Sequence, residues 1–398
     1  MATAGLADEL ARWATELEPT EEDLALARRS LLDTVGVMFA ARGDPLAPLF
    51  AQLSEAGRWA ALAHVLDYDD LHLPSTTHIS AVCVPVAVSC AGDASAGTPG
   101  ADPARAYLAG AGVMARLGTA LGWRHYSAGW HATCTAGAPA AAATAAVARG
   151  LDVRATATAI ALAVPAAGGV QRAFGTAAKS LQVGFAADAG VRAAALAAAG
   201  ASADPGALEQ WISLVGGSAD ALDFAGPAVP GGLAIKPYPC CYALQRPIAA
   251  VHELVDRPRA DRVRRIVIRT PAASLAPLIH HSPRTGLEGK FSLEYGVAAA
   301  LLDGGPGFDS FSDEAVLRPE AVRLGRMVEV TATDGGDHLL TGEVEIGVDD
   351  VRATLALPPG APDRPVTDAE LRAKLELCGA GDLAELSWGS AAEFLRQI

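Results

Sequence analysis

Residues 64 to 80, HVLDYDDLHLPSTTHIS, gather the carboxylates of Asp67, Asp69 and Asp70 and the imidazoles of His64, His72 and His78 in one short stretch. Groups of these types can ligate a divalent metal, exchange protons as acid and base, or stand in a solvated loop. No established zinc spacing runs through DYDDLH, so metal is the weakest of the three readings and none is expected. A second point is SAGWHATCTAG, where His131 precedes an alanine-rich run. An imidazole at a helix start is kept neutral by the positive end of the helix dipole and can accept a proton. The plainer alternative is a buried ring hydrogen-bonded to the backbone.

Only four of the 31 basic residues are lysines. Lys179 stands in FGTAAKSLQVG, Lys236 in IKPYPCC, and Lys290 in GKFSLEYG beside Tyr295. Lys374 alone falls on a plainly amphipathic pattern, where a surface charge is expected. An ammonium is compact, binds a single carboxylate oxygen and can lose its proton when desolvated, whereas a guanidinium stays charged. Lysine is thus kept where its chemistry differs from arginine's. The prolines around Lys236 restrict the backbone, which suits either an anchored segment at a domain junction or an ordinary semi-rigid linker.

These groups need elements to position them. From Thr20 to about Ala41 the apolar residues Leu24, Ala27, Leu31, Val35 and Met38 recur every three or four positions, an amphipathic helix. A similar period surrounds Val113, Leu117 and Leu121, and residues 132–200 are alanine-rich enough for close helix packing. Glycine and proline punctuate residues 201–240, and a domain boundary is placed near 235. Beyond it RIVIRT, MVEVTAT and GEVEIGV read as strands, with a hairpin expected around the Gly-Gly of TATDGGDHLLTGEVEIGV. Thr367 and Glu370 have capping-box spacing ahead of Leu371 and Leu375, so the chain returns to helix.

Composition narrows the function classes. With 51% apolar and 19% charged residues the chain is globular, and its net charge of −14 disfavours nucleic acid and anionic membranes as partners. The six cysteines form no CxxC pair and are read as reduced thiols. MATAGLADEL carries acids where a secretory signal has bases, and the apolar runs are interrupted and short, so a cytoplasmic protein without membrane spans is expected.

Six stretches, ALAHVLDYDDLH with THIS, GWHATCTAGAPAAAAT, GTAAKSLQVGFAADAGV, IKPYPCC, KFSLEYGVAAALLDG and VTDAELRAK, resemble in this order the MmgE/PrpD family of 2-methylcitrate dehydratase, cis-aconitate decarboxylase and iminodisuccinate epimerase. The resemblance implies a mainly α protein. A large all-helical domain is formed by both chain ends (1–235 and 365–398), with a smaller α+β lid (236–364) inserted. It also implies a homodimer, no metal or organic cofactor, and a small carboxylic acid as substrate, bound in the cleft between domain and lid. Residues matching the family site are Asp67, His78, His131, Lys179, Lys236 and Tyr295. His131 would be the base or acid, Asp67 or His78 would orient it or exchange protons, Lys179 and Lys236 would clamp a carboxylate, and Tyr295 would donate a proton or hydrogen bond.

Departures from the family pattern fall at Leu71, where threonine is usual, and at Gln182 and Gln245, where histidine is common. Cys241 replaces a histidine of the decarboxylases, and Glu294 stands where proline is frequent. Leu71, Gln182 and Cys241 join Lys236 as expected substrate-binding positions, and the lost hydroxyl and cations weaken the case for a tricarboxylic substrate. The implied activity is that of a lyase, dehydratase or decarboxylase, working by proton transfer next to a carboxylate or carbonyl. An epimerase or isomerase using the same base, and a non-catalytic binding member of the fold, are the alternatives.

Overall fold

The computed structural model describes residues 5–91, 101–334, 336, 338, 339 and 341–397. The chain is mostly helical with one small sheet. The periodic segment after Thr20 forms the helix Glu21–Ala41, whose first turn is closed reciprocally: Thr20 Oγ1 accepts from Asp23 N–H, and Asp23 accepts from Thr20 N–H. The alanine-rich stretch forms the helices Ala132–Ala148 and Ala177–Ala198, which pack side by side; every residue of the first is buried. Small side chains permit this closeness. A Cβ at Gly190 would lie 2.3 Å from Ala141 Cβ, so only glycine fits that crossing.

One apolar cluster runs through these helices and takes in both chain ends, from Leu6 and Leu10 to Leu371, Leu375, Ala391 and Leu395. A second cluster comprises Leu244, Ile248, Ile266, Ile268, Val297, Val344 and Ile346, where the helices Tyr242–His252 and Leu293–Asp303 pack together and the former covers the sheet. The chain passes between them at Ala234–Ile235, pinned by an Ala234–Leu71 bridge and by Ile235 N–H donating to Gly360. No described helix is long and apolar enough to cross a membrane.

The sheet has the order β2-β1-β3-β4, from β1 (Ile266–Pro271), β2 (Val328–Thr333), β3 (Val344–Val348) and β4 (Val351–Leu355). β2 runs parallel to β1, while β3 is antiparallel to both β1 and β4. The expected hairpin between β2 and β3 is therefore corrected: β1 lies between them. Gly335 of the Gly-Gly pair is outside the described residues. The true hairpin joins β3 to β4 through Asp349-Asp350, with Asp349 at φ 49° and its carboxylate accepting the Arg264 and Arg265 N–H groups.

The Thr367–Glu370 capping box forms as expected and opens the helix Asp368–Leu377. Lys374 on that helix is not a surface charge. It is buried, 2.6 Å from Asp33 Oδ1 and 3.9 Å from the centre of the Tyr68 ring. Leu371, Lys374 and Leu375 are spaced i, i+3, i+4, so the lysine shares the buried face that the leucines mark.

Candidate active site

The helix Glu55–Val65 stops at Leu66, and Asp67 adopts φ 53°, the left-handed region that aspartate tolerates better than most residues. This reversal swings the chain into a loop that ends at the helix Ile79–Ser89. The loop divides its polar residues into two sets. Asp70 accepts from Ser80 N–H and Oγ at that helix's first turn, and burial pushes its carboxyl up to about 7 despite those bonds. His72 is held between Ser75 Oγ and the Pro230 carbonyl, each at 2.6 Å. Asp70 and His72 are thereby occupied in shaping the loop.

His64, Asp67, Asp69 and His78 form the other set. Lys179 Nζ lies 2.6 Å from His64 Nε2 and 3.3 Å from Asp67 Oδ2. An ammonium only donates, so His64 Nε2 accepts and the ring proton sits on Nδ1, which donates to Asp69 Oδ2 at 2.7 Å. Lys236 donates to the Asp67 carboxylate at 2.5 Å and to the Asp67 carbonyl at 2.8 Å, and lies 3.8 Å from Asp69 Oδ1. Burial alone would raise both carboxyls. The ammonium groups of Lys179 and Lys236 instead hold Asp67 well below its ordinary range, and His64, His78 and Lys236 do the same for Asp69. Burial lowers Lys236, but Asp67 and Asp69 outweigh it and the net direction is upward.

The histidines move the other way. Burial drives His64 down to about 4 and lowers His78, with Asp69 opposing in both cases. His131 is pushed well below the usual imidazole value by burial first and by His64 and Lys179 next. Its Nδ1 lies 3.3 Å from Gln182 Oε1, an oxygen already accepting the Val170 N–H at 3.0 Å. That oxygen can only accept, so the Nδ1–H tautomer satisfies this contact, with Cys134 Sγ at 3.2 Å facing the same proton, and leaves Nε2 with a lone pair. The ring is fixed by stacking on His64 at 5.6 Å and by the edge of Phe174 at 5.1 Å.

Asp67, His78, His131 and Lys179 open onto one pocket, whose other walls are largely apolar: Leu71, Phe174, Tyr242, Phe291 and Leu339 among them. Lys179 is its single lysine or arginine among the described residues. The Tyr242 hydroxyl, buried at this wall, has no hydrogen-bond partner among the described residues. Cys241 also lines the pocket, and burial pushes its thiol up to about 12, so it presents S–H and not thiolate.

Of the residues singled out in the sequence, Asp67, Leu71, His78, His131, Lys179 and Cys241 line this pocket, and Gln182 reaches it through His131. Lys236 has no exposed surface and is absent from the pocket wall; its ammonium is spent on Asp67. Tyr295 is also elsewhere, donating to the Ser310 carbonyl. Gln245 braces the IKPYPCC turn through Tyr238 and Cys240, and Glu294 pairs with His281. His64 and Asp69, grouped in the sequence with the other acids and imidazoles of 64–80 but given no role in the site, belong to the centre of the cluster. Their signal was present, a histidine on the last helical turn and an aspartate five residues on, but many such pairs never meet.

His64, Asp69 and His78 bring ligand atoms within 4.8 Å of one another, the one such group among the described residues. Two ammonium groups already stand against it: Lys179 on His64 Nε2 and Lys236 beside Asp69. They supply the positive charge that a divalent ion would bring, and their repulsion disfavours one.

A mostly helical chain with a buried Asp–His–Lys cluster beside an apolar-walled pocket has the make-up of an enzyme. Residues 56–213 match the MmgE/PrpD N-terminal domain and residues 238–387 the MmgE/PrpD C-terminal domain, and the chain belongs to this family. It is 26% identical over 374 residues to a cis-aconitate decarboxylase of Aspergillus terreus, covering 85% of this chain and 75% of that protein. Against the cis-aconitate decarboxylase of A. terreus strain NIH 2624 / FGSC A1156 it is 26% identical over 387 residues, with coverages of 87% and 78%.

Proposed function

We propose that the chain is a lyase of the dehydratase or decarboxylase type that acts on a small carboxylic acid, without metal or organic cofactor, by proton transfer at the carbon beside a carboxylate or carbonyl. The observation that carries this reading is His131, neutral and with its Nε2 lone pair unclaimed beside the pocket that Lys179 and Asp67 also line. In the dehydratase direction Nε2 takes the C–H proton, the released pair forms the double bond, and the neighbouring hydroxyl leaves as water with the proton handed on from the imidazolium, which returns His131 to its neutral form. In the decarboxylase direction the C–C pair of the departing CO₂ stays on carbon and takes a proton from the Lys179 ammonium, which regains one from water. Either way Lys179 faces the negative charge as it develops.

With one lysine and mostly apolar surface on the pocket wall, the favoured substrate carries a single carboxylate at the reacting end and an apolar remainder. The role of Lys236 is to position Asp67 and not to touch substrate. A homodimer is proposed as the working unit on the family resemblance.

The test is incubation of the purified protein with cis-aconitate and with unsaturated and β-hydroxy monocarboxylic acids in D₂O, followed by NMR, with and without a chelator. Release of CO₂ with deuterium on the carbon it left, or of water with formation of the double bond, supports the lyase. Exchange with inversion and no fragment lost would make it an epimerase. Binding without exchange on any acid would make it a binding member of the fold. Activity abolished by chelation and restored by one divalent ion would assign the His64–Asp69–His78 group to metal.

A further inference from the structure

All four lysines of this chain converge on the loop from Leu66 to Asp69. Lys290 donates to the Leu66 carbonyl at 2.5 Å, Lys236 to the Asp67 carbonyl at 2.8 Å and Lys374 to the Tyr68 carbonyl at 2.7 Å. Three consecutive carbonyls are thus each capped by a separate ammonium, and Lys179 takes the Asp67 carboxylate. The three capping lysines come from the crossing segment after Ile235, from the region before the helix Leu293–Asp303, and from the helix Asp368–Leu377. We infer that Lys290 and Lys374, with Lys236, are positioning residues that hold this left-handed turn in the shape that presents Asp67 and Asp69 to Lys179, His64 and His78, so that the helix Asp368–Leu377 forms part of the site's supporting structure.

The chemistry explains the choice of lysine. Three successive carbonyls around a turn point in different directions within a few ångströms, and each is met by one compact donor on a long stem. A planar guanidinium needs more room and presents its donors as a fork. Lys290 and Lys374 are buried, so their desolvation has to be offset by these bonds. Lys374 has an aspartate as well, Asp33 at 2.6 Å. Among the described residues no carboxylate lies within ion-pair distance of Lys290; its Nζ meets the Leu66 carbonyl and lies 5.9 Å from the centre of the Phe311 ring. A buried cation bonded chiefly to one backbone oxygen is an expensive way to fill space, and it makes sense where that oxygen must not move.

The inference deepens the proposed reading of the site, but both readouts are free of substrate, so it stands or falls apart from the reaction assigned. The variants are Lys290→Met, Lys290→Arg, Asp33→Asn, and Asp33→Asn combined with Lys374→Met. The double variant removes the Tyr68 cap without leaving a buried charge unpaired, and Asp33→Asn alone keeps the cap. Hydrogen–deuterium exchange of the full chain is followed over residues 66–72, where the Asp67 and Leu71 amides are bonded. The histidine ring resonances of ¹⁵N-histidine-labelled protein are followed in parallel. Lys290→Met and the double variant should each speed exchange at 66–72 by tenfold or more relative to the rest of the chain and shift the His64 ring signal, Lys290→Arg should not rescue, and Asp33→Asn, which leaves Lys374 without its carboxylate, should lower overall stability without speeding 66–72 relative to the rest of the chain. Unchanged exchange at 66–72, or an acceleration spread evenly over the chain with ring signals unmoved, would overturn the inference. Should the double variant not fold, Lys290→Met decides alone, since it breaks no ion pair.

Discussion

Two regions of this molecule bring opposite charges into contact, and the consequences are opposite. On the sheet, Arg265 and Glu329 meet at 2.6 Å with side chains 62% and 57% exposed, and Glu345 is flanked by Arg269 and Arg352. In the 64–80 segment, Asp67 meets Lys236 at 2.5 Å with side chains 3% and 0% exposed. Contact distance hardly separates the two pairs. Water does: on the sheet it screens both partners and would solvate either one left alone, whereas in the site both side chains are buried from it and each charge depends on its partners. The site is therefore where charge changes protonation states, tautomers and loop shape together.

Removing the Lys236 charge is the strongest way to test that contrast. Lys236→Met leaves Asp67 with Lys179 alone, and breaking a buried pair costs about 3–5 kcal/mol. Urea denaturation should show a loss of that size, with much of it recovered when Asp67→Asn is added, because the orphaned charge is then gone. A Lys236→Met protein as stable as wild type would mean that water reaches Asp67 and that the contrast fails.

His131 tests the same region with a smaller effect on the fold. His131→Gln should lower turnover of whichever acid is converted by about 10²–10⁴-fold, the usual contribution of a general base, while changing stability by about 1 kcal/mol. Turnover per folded molecule near wild type would return His131 to a packing role.

Next in size is the pH dependence of stability. His64 and His72 titrate near 4 in the folded chain, below the 6.5 of an unfolded histidine. As pH falls from 6.5 towards 4 the unfolded chain takes up protons that the folded one refuses, so stability drops, by about 1.4 kcal/mol per pH unit for each such histidine. Asp70 opposes this: its carboxyl, raised to about 7, favours the fold at low pH and costs stability as pH rises towards 7. His78 and His131 are also lowered, so the histidines outnumber it. The urea midpoint should rise between pH 4.5 and 6.5. A flat or falling midpoint there would show that these rings accept protons in place.

How much of this could be read beforehand depended on distance along the chain. Helices were legible from local periods and caps, as after Thr20 and Thr367, because their partners lie three or four residues away. Sheet neighbours were not: β2 and β3 flank a Gly-Gly signal, yet β1, some sixty residues earlier, separates them. The same holds in the site. That 64–80, His131, Lys179 and Lys236 carry notable chemistry was visible in residue types and in resemblance. That Lys236 would be spent on Asp67, that Tyr295 would face Ser310, and that Gln182 would set the His131 tautomer through Val170 depend on three-dimensional neighbours that no spacing encodes. Lys374 is the instructive failure, since the period that revealed the helix already placed it on the buried face.

The smallest effect is expected at Arg265, and its smallness is the point. Arg265 makes two hydrogen bonds to Glu329 across the β1–β2 pair, and each partner raises or lowers the other's pKa in the sense of an ion pair. Judged by geometry alone it is the best-formed charge pair of the sheet. Both groups are open to water, so Arg265→Ala should leave the melting temperature within measurement error at physiological salt, and raising the salt should move wild type and variant alike. A clear loss of stability on Arg265→Ala that persists at high salt would mean that the sheet surface is shielded in the working protein, as it would be if another chain covered it. The contrast between the two regions would then be one of assembly and not of burial within a single chain.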